Sequence, residues 1–150
     1  MKKIGNILVP VDFSDSSNVL AEYAILFGKN FDAKIYIIHV VEDFLKYAKL
    51  SIPHISMDKI IEEVYEAAEK ELDDFCTKNF EGKVKYESIL SKGEAHEEIF
   101  KAVKEREIDI IIIGTHGNSG LNKIFFGSTA DRVLRGAKCP VITVNIQNID

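Results

Sequence analysis

Four consecutive isoleucines, Ile110-Ile111-Ile112-Ile113, end on Gly114. β-branched side chains are stiff at χ1 and suit a pleated surface. A run that is apolar at every position has no wet face, so both of its faces must be covered. That is the pattern of a central strand in a parallel sheet, and parallel strands need crossover helices between them. The rest of the chain supplies such helices.

The spacing of apolar residues predicts a first strand over Ile4 to Val11 and a helix from the N-cap-rich run Asp12-Phe13-Ser14-Asp15-Ser16-Ser17 to about Asn30. Leu20, Tyr23, Ala24 and Phe27 form its apolar face. A second strand follows over Lys34 to Val41. Residues 42–57, with Pro53, show no clean period and read as a long connection with room for a short helical piece. A long amphipathic helix is expected over Asp58 to Asn79, carried by Ile61, Val64, Ala68, Leu72 and Phe75. Lys83 to Leu90 alternates, as an edge strand with one wetter face does. Gly93 to Glu105 is the next helix, Asp109 to Gly114 the isoleucine strand, and Thr115 to Phe126 a loop. Ser128 to Arg135 is the last helix, with Gly136 expected at its C′ position, and Pro140 to Ile146 the last strand.

Strands alternating with helices imply right-handed crossovers and one parallel sheet covered on both faces. The expected fold is a single α/β domain over residues 1–150, a doubly wound, Rossmann-like sheet of five strands in the order 3-2-1-4-5. In that order the winding reverses between the first and fourth strands. Ligands bind such sheets outside the carboxyl ends at the reversal. Two segments are thereby singled out: Pro10-Val11-Asp12 and Gly114 to Ser128.

Composition narrows the function. At 150 residues the chain has the size of one ordinary domain, and with 46% hydrophobic and 29% charged residues it is of globular type. No segment approaches the ~18–20 apolar residues that cross a bilayer, and the N-terminal apolar run is too short for a signal peptide. A cytoplasmic location is expected. The formal net charge of −5, without a dense Lys/Arg run, argues against nucleic acid as a partner. Cys76 and Cys139 lack CxxC spacing and read as reduced and buried.

In the second singled-out segment, Gly114, Gly117, Gly120 and Gly127 punctuate a polar loop, and Gly127-Ser128-Thr129 opens a helix. Glycine admits close approach of a ligand to the backbone. A helix N-terminus with free N–H groups attracts an anion. The spacing is too long for a dinucleotide fingerprint, and no GxxxxGK[ST] occurs, so a P-loop lysine is absent. The same residues would also make a plain glycine-rich turn with a hydroxyl N-cap. From the spacing alone the two readings weigh about equally.

The stretch resembles the nucleotide motif of the universal stress protein family, G-x2-G-x9-G-[ST], matched by Gly114, Gly117, Gly127 and Ser128. The resemblance extends to the opening Ile7-Leu8-Val9-Pro10-Val11-Asp12-Phe13-Ser14, to His39-Val40 and to Cys139-Pro140-Val141-Ile142-Thr143-Val144. It implies an ATP-binding member of that family. It places Asp12 near the ribose or adenine. Val40, with Val11 beside it, would line the adenine pocket and offer backbone hydrogen bonds, and Pro10 belongs to the same nucleotide-binding set. Gly114, Thr115, His116 and Gly117 would wrap the ribose and phosphates, and Gly127, Ser128 and Thr129 would hold the phosphates. Mg²⁺ would be bound through phosphate oxygens, with no protein metal site.

Other residues have plainer readings beside these. Asp12 could cap the first helix instead. His39 reads as a hydrogen-bonded core histidine, and His39, His54, His96 and His116 have no metal-ligand spacing. The acidic run Glu62, Glu63, Glu66, Glu69, Glu71 reads as a solvated helix face, with Lys70 as partner to Glu66. Lys123 reads as an exposed loop lysine. Two functions stand against each other: a nucleotide-dependent regulator in stress response, which the absence of a cationic clamp favours, and a slow ATPase or phosphotransferase using the same site. The last strand, 140–146, is an apolar edge without an inward lysine, so a covering partner is expected. The family resemblance makes that partner a second copy paired antiparallel, a homodimer.

Overall fold

The computed structural model describes residues 2–43, 57–115 and 127–146. Its elements run β1 (Asn6–Pro10), α1 (Asp15–Phe31), β2 (Lys34–Val41), α2 (Met57–Phe80), β3 (Tyr86–Lys92), α3 (Ala95–Glu105), β4 (Ile110–Gly114), α4 (Ser128–Gly136) and β5 (Val141–Val144). The five strands form one sheet in the order β3-β2-β1-β4-β5, and every pairing is parallel. The expected doubly wound topology is the observed one.

The pleat sorts the core into two layers. Ile7, Val9, Ile35, Ile37, Ile110 and Ile112 face α1 and α2, where they meet Leu20, Ala24, Leu72 and Phe75. Leu8, Ile38, Ile111 and Ile113 face α3 and α4, where they meet Ile99, Ala102, Ala130 and Val133. The isoleucine run thus divides evenly between the faces, and all four side chains are buried. At about 25 cal/mol per Å² of apolar surface, each is worth about 1.5–3 kcal/mol relative to exposure.

Several boundaries differ from expectation for local reasons. The buried face of α1 is Ser17, Leu20, Ala21, Ala24 and Gly28. Tyr23, expected inside, is 40% exposed. Small residues let the helix lie close on the sheet: a Cβ on Gly28 would stand 2.9 Å from Ile35 Cδ1. β3 starts three residues after Lys83, because Lys83 N–H and Val84 N–H both bond back to the Phe80 carbonyl in the turn that leaves α2. It remains a half-buried edge strand, as its alternation required. Residues 44–56 of the long connection lie outside the described residues.

Gly136 is the last residue of α4, not a left-handed residue beyond it. Its role is steric: a Cβ there would fall 2.7 Å from Phe100 Cζ. Lys70 pairs with Asp74 at 2.7 Å, one turn onward, in place of Glu66. Both cysteines are free, Cys76 buried and Cys139 half-buried. Burial, with the nearby Asp73 charge, pushes the Cys76 thiol up to about 12.

Candidate nucleotide site

β1 and β4 lie side by side at the point where the winding reverses. A cavity of about 720 Å³ opens outside their carboxyl ends, within the range of small-molecule sites. Among its lining are Pro10, Val11 and Asp12 from β1 and the turn after it, and Val40 from β2. Gly114 and Thr115 come from β4 and its end, Gly127 from the N-cap of α4, and Ser128 and Thr129 from its first turn. The fold therefore gathers nine of the eleven residues singled out from the sequence. The other two, His116 and Gly117, lie outside the described residues, as do Lys123 and most of the glycine loop.

The turn after β1 is organised by Asp12. Its Oδ1 accepts from Ser14 N–H at 3.0 Å, from Ser14 Oγ at 2.6 Å and from Ser17 Oγ at 3.0 Å. Ser17 Oγ in turn accepts from the Asp12 N–H at 3.3 Å. Ser14 is the N-cap of α1, so Asp12 shapes the turn that precedes the helix and is not itself the cap. Phe13 has φ 62, a left-handed conformation that a bulky residue rarely adopts. Its ring is held between His39, at 4.2 Å between centroids, and Phe75, at 5.9 Å. Aromatic packing on both sides offsets the cost of that backbone.

The two ends of the glycine loop are tied together. Gly127 N–H donates to the Thr115 carbonyl at 2.7 Å, and Thr115 N–H donates to Val144 at 3.1 Å. The N-terminus of α4 lines the cavity with Gly127, Ser128 and Thr129. Gly127 itself has φ −56 and ψ 153, which any residue adopts. Among the described residues a Cβ there would meet the Thr115 carbonyl, at an ordinary 3.5 Å. Among these residues neither backbone strain nor packing requires glycine at this position.

The lining contains acidic side chains, Asp12, Glu42 and Glu71, and no lysine or arginine among the described residues. An anion entering here would be met by helix N–H groups and hydroxyls. Among the described residues no cluster of three His, Cys, Asp or Glu could hold a metal ion. No helix among them is long and apolar enough to cross a membrane.

The sequence alone did not point to His39, Ser16, Ser17 or the α2 residues Val64, Ala68 and Glu71 as lining. His39 was expected in the core as a hydrogen-bonded residue. It is hydrogen-bonded, Nδ1 to the Val11 carbonyl at 2.9 Å, but half-buried at the cavity wall. Its position next to Val40 at the end of β2 was the available signal. The α2 residues gave none, since a helical apolar stripe looks the same whether it faces a core or a cavity.

The family model for the universal stress protein family matches residues 3–145 of this chain. A universal stress protein of Methanocaldococcus jannaschii, MJ0531, is 35% identical over 138 residues, covering 92% of this chain and 80% of its own. The structure of MJ0577, from the same organism, superposes with a TM-score of 0.84 at 24% identity, over 99% of this chain and all of that one. A universal stress protein from Archaeoglobus fulgidus, solved in complex with dAMP, gives 0.66 at 22% identity over 96% of this chain and 100% of its own. The structure of a universal stress protein in complex with cAMP gives 0.62 at 21% identity over 96% of this chain and 98% of its own.

Proposed function

The chain belongs to the universal stress protein family, and from that membership we propose that it is an ATP-binding regulator of stress response, working in the cytosol and switched by nucleotide occupancy. The observation that carries the proposal is Gly127. It sits at the N-cap of a helix whose first turn lines the cavity, and among the described residues nothing comes nearer to its would-be Cβ than the Thr115 carbonyl at 3.5 Å, which supports room for a phosphate against the first N–H groups of α4. Two fold relatives solved with dAMP and cAMP lend support to adenine as the base.

In this proposal Pro10, Val11 and Val40 surround the adenine and Asp12 meets the ribose. Gly114 and Thr115 border the sugar, and His116 and Gly117, outside the described residues, are assigned to the ribose and phosphates by the family resemblance. Gly127, Ser128 and Thr129 take the phosphates. Mg²⁺ arrives on phosphate oxygens, consistent with the lack of a carboxylate cluster among the described residues. Efficient phosphoryl transfer needs positive charge around the transferring group. The described lining has none, so binding is favoured over turnover.

We also propose a homodimer through β5. Its one neighbour among the described strands is β4, and Val141, Ile142 and Thr143 are half-exposed. Calorimetric titration of the full chain with ATP and magnesium tests the main proposal. Saturable binding is expected. No heat and no thermal shift at millimolar ATP would overturn it.

A further inference from the structure

The ladder between β1 and β2 stops one bond short. In a parallel pair, alternate residues of a strand turn both peptide groups toward the same neighbour. On β2, Lys34 N–H bonds to Gly5 and the Ile38 carbonyl receives Val11 N–H at 2.9 Å, so even-numbered residues face β1. Ile35 N–H bonds to Lys85, and the Val41 carbonyl receives Gly93 N–H, so odd-numbered residues face β3. Val40 therefore turns its N–H and C=O toward β1. The regular next bond would run from Val40 N–H to the Val11 carbonyl.

That bond is not made. The pairing of β1 with β2 ends at Pro10 with Ile38, and the Val11 carbonyl is taken by His39 Nδ1 at 2.9 Å. A carbonyl only accepts, so Nδ1 carries the proton. The ring is steadied by Phe13, 4.2 Å away between centroids. Val40 is left with one donor and one acceptor side by side, without a backbone partner on the β1 side among the described residues, at the cavity wall.

We infer that His39 is a positioning residue: by occupying the Val11 carbonyl it holds the mouth between β1 and β2 open and reserves the Val40 peptide groups for a nucleobase edge. This rests on the nucleotide proposal for its ligand, but not for its geometry. A donor beside an acceptor complements adenine, whose N1 accepts and whose 6-amino group donates. The 6-oxo base of ITP reverses both polarities at those two atoms.

The geometry is tested first, without nucleotide. In ¹⁵N-resolved NMR of the full chain, His39 should be the Nδ1–H tautomer and Val40 N–H should exchange rapidly although it lies inside a strand. In His39→Leu the Val11 carbonyl is released, so Val40 N–H should close onto it and exchange at least tenfold more slowly. His39→Asn carries an N–H on the same branch as Nδ1 and should restore rapid exchange. An unprotonated Nδ1, or equal Val40 protection in wild type and His39→Leu, overturns the inference.

The consequence is tested by titration with ATP and ITP. His39→Leu should lose about tenfold in ATP affinity, with the ATP-to-ITP preference falling toward one, and His39→Asn should recover most of both. A merely structural role would lower both affinities together and leave the preference unchanged, which counts against the inference. If wild type binds neither nucleotide, the functional proposal fails while the exchange measurements still decide the role of His39. If His39→Leu does not fold, the wild-type tautomer and His39→Asn decide it.

Discussion

Gly127 N–H and the Thr115 carbonyl are joined at 2.7 Å, closing the glycine loop at its base. The bond ties the end of β4 to the start of α4, so the helix N-terminus and the strand end share one wall of the cavity.

That geometry separates folding from binding at Gly127. Gly127→Ala requires no positive φ and, among the described residues, meets the Thr115 carbonyl at an ordinary 3.5 Å. Its effect on stability should stay within about 1 kcal/mol, the scale of an N-cap change. ATP affinity should nevertheless fall tenfold or more, because the methyl group stands where the phosphate would approach. Ser128→Ala removes one hydroxyl and should cost about 0.5–1.5 kcal/mol of binding, a several-fold loss. Dissociation constants with circular dichroism as control check both. Normal ATP binding by Gly127→Ala would contradict the amide-cradle account.

At Gly136 the expected effect is the reverse, on stability and not on ligand. A Cβ would lie 2.7 Å from Phe100 Cζ and 3.0 Å from Cε2. Overpacking costs about 1–3 kcal/mol, whereas the better helix propensity of alanine returns up to about 1 kcal/mol. Gly136→Ala should therefore destabilise by about 1–2 kcal/mol in denaturant titration. Adding Phe100→Leu should recover part of the loss. A more stable Gly136→Ala would show that α3 and α4 adjust freely.

The dimer proposal has a register-specific test. Pro140 and Val144 turn their carbonyls to Ile111 on β4 and to Thr115 just beyond its end. Odd-numbered residues of β5 accordingly face outward, and Thr143 N–H points to the free edge. Thr143→Pro deletes that outward donor while sparing the β4 side. The variant should be folded and monomeric by light scattering, where wild type is a dimer. A dimeric Thr143→Pro would move the interface elsewhere.

Glu87 gives a pH-dependent prediction. Its carboxyl is held below the ordinary range by the hydrogen bond from Lys34 at 2.7 Å, opposed by burial and assisted by Arg106 at 3.1 Å. A depressed folded-state value means that the stabilisation is present above the unfolded pKa and is lost as pH falls through the folded one. Glu87→Gln should lower the Tm at pH 7, and the gap to wild type should shrink below about pH 4, near the unfolded carboxyl value. A gap that widened in acid would contradict the sign.

The order of strands, their parallel sense and the place of the cavity were legible in the chain. Ile110 to Ile113, apolar at every position, marked a strand covered on both faces, and the alternation of strand and helix periods pointed to right-handed crossovers. Glycine spacing marked Gly114, Gly127 and Ser128, which the fold brings into one cavity lining. Three things were decided by tertiary structure. Gly136 looked like a helix stop and is a packing site, since the ring it accommodates comes from another helix. Tyr23 looked internal, because helical period does not say how far small residues such as Ala21 and Gly28 rotate the buried face. His39 looked like core, and its ring instead takes the Val11 carbonyl from Val40. Such a choice between two donors for one acceptor depends on where two strands separate, and that distance is set by the whole sheet and not by the residues along either strand.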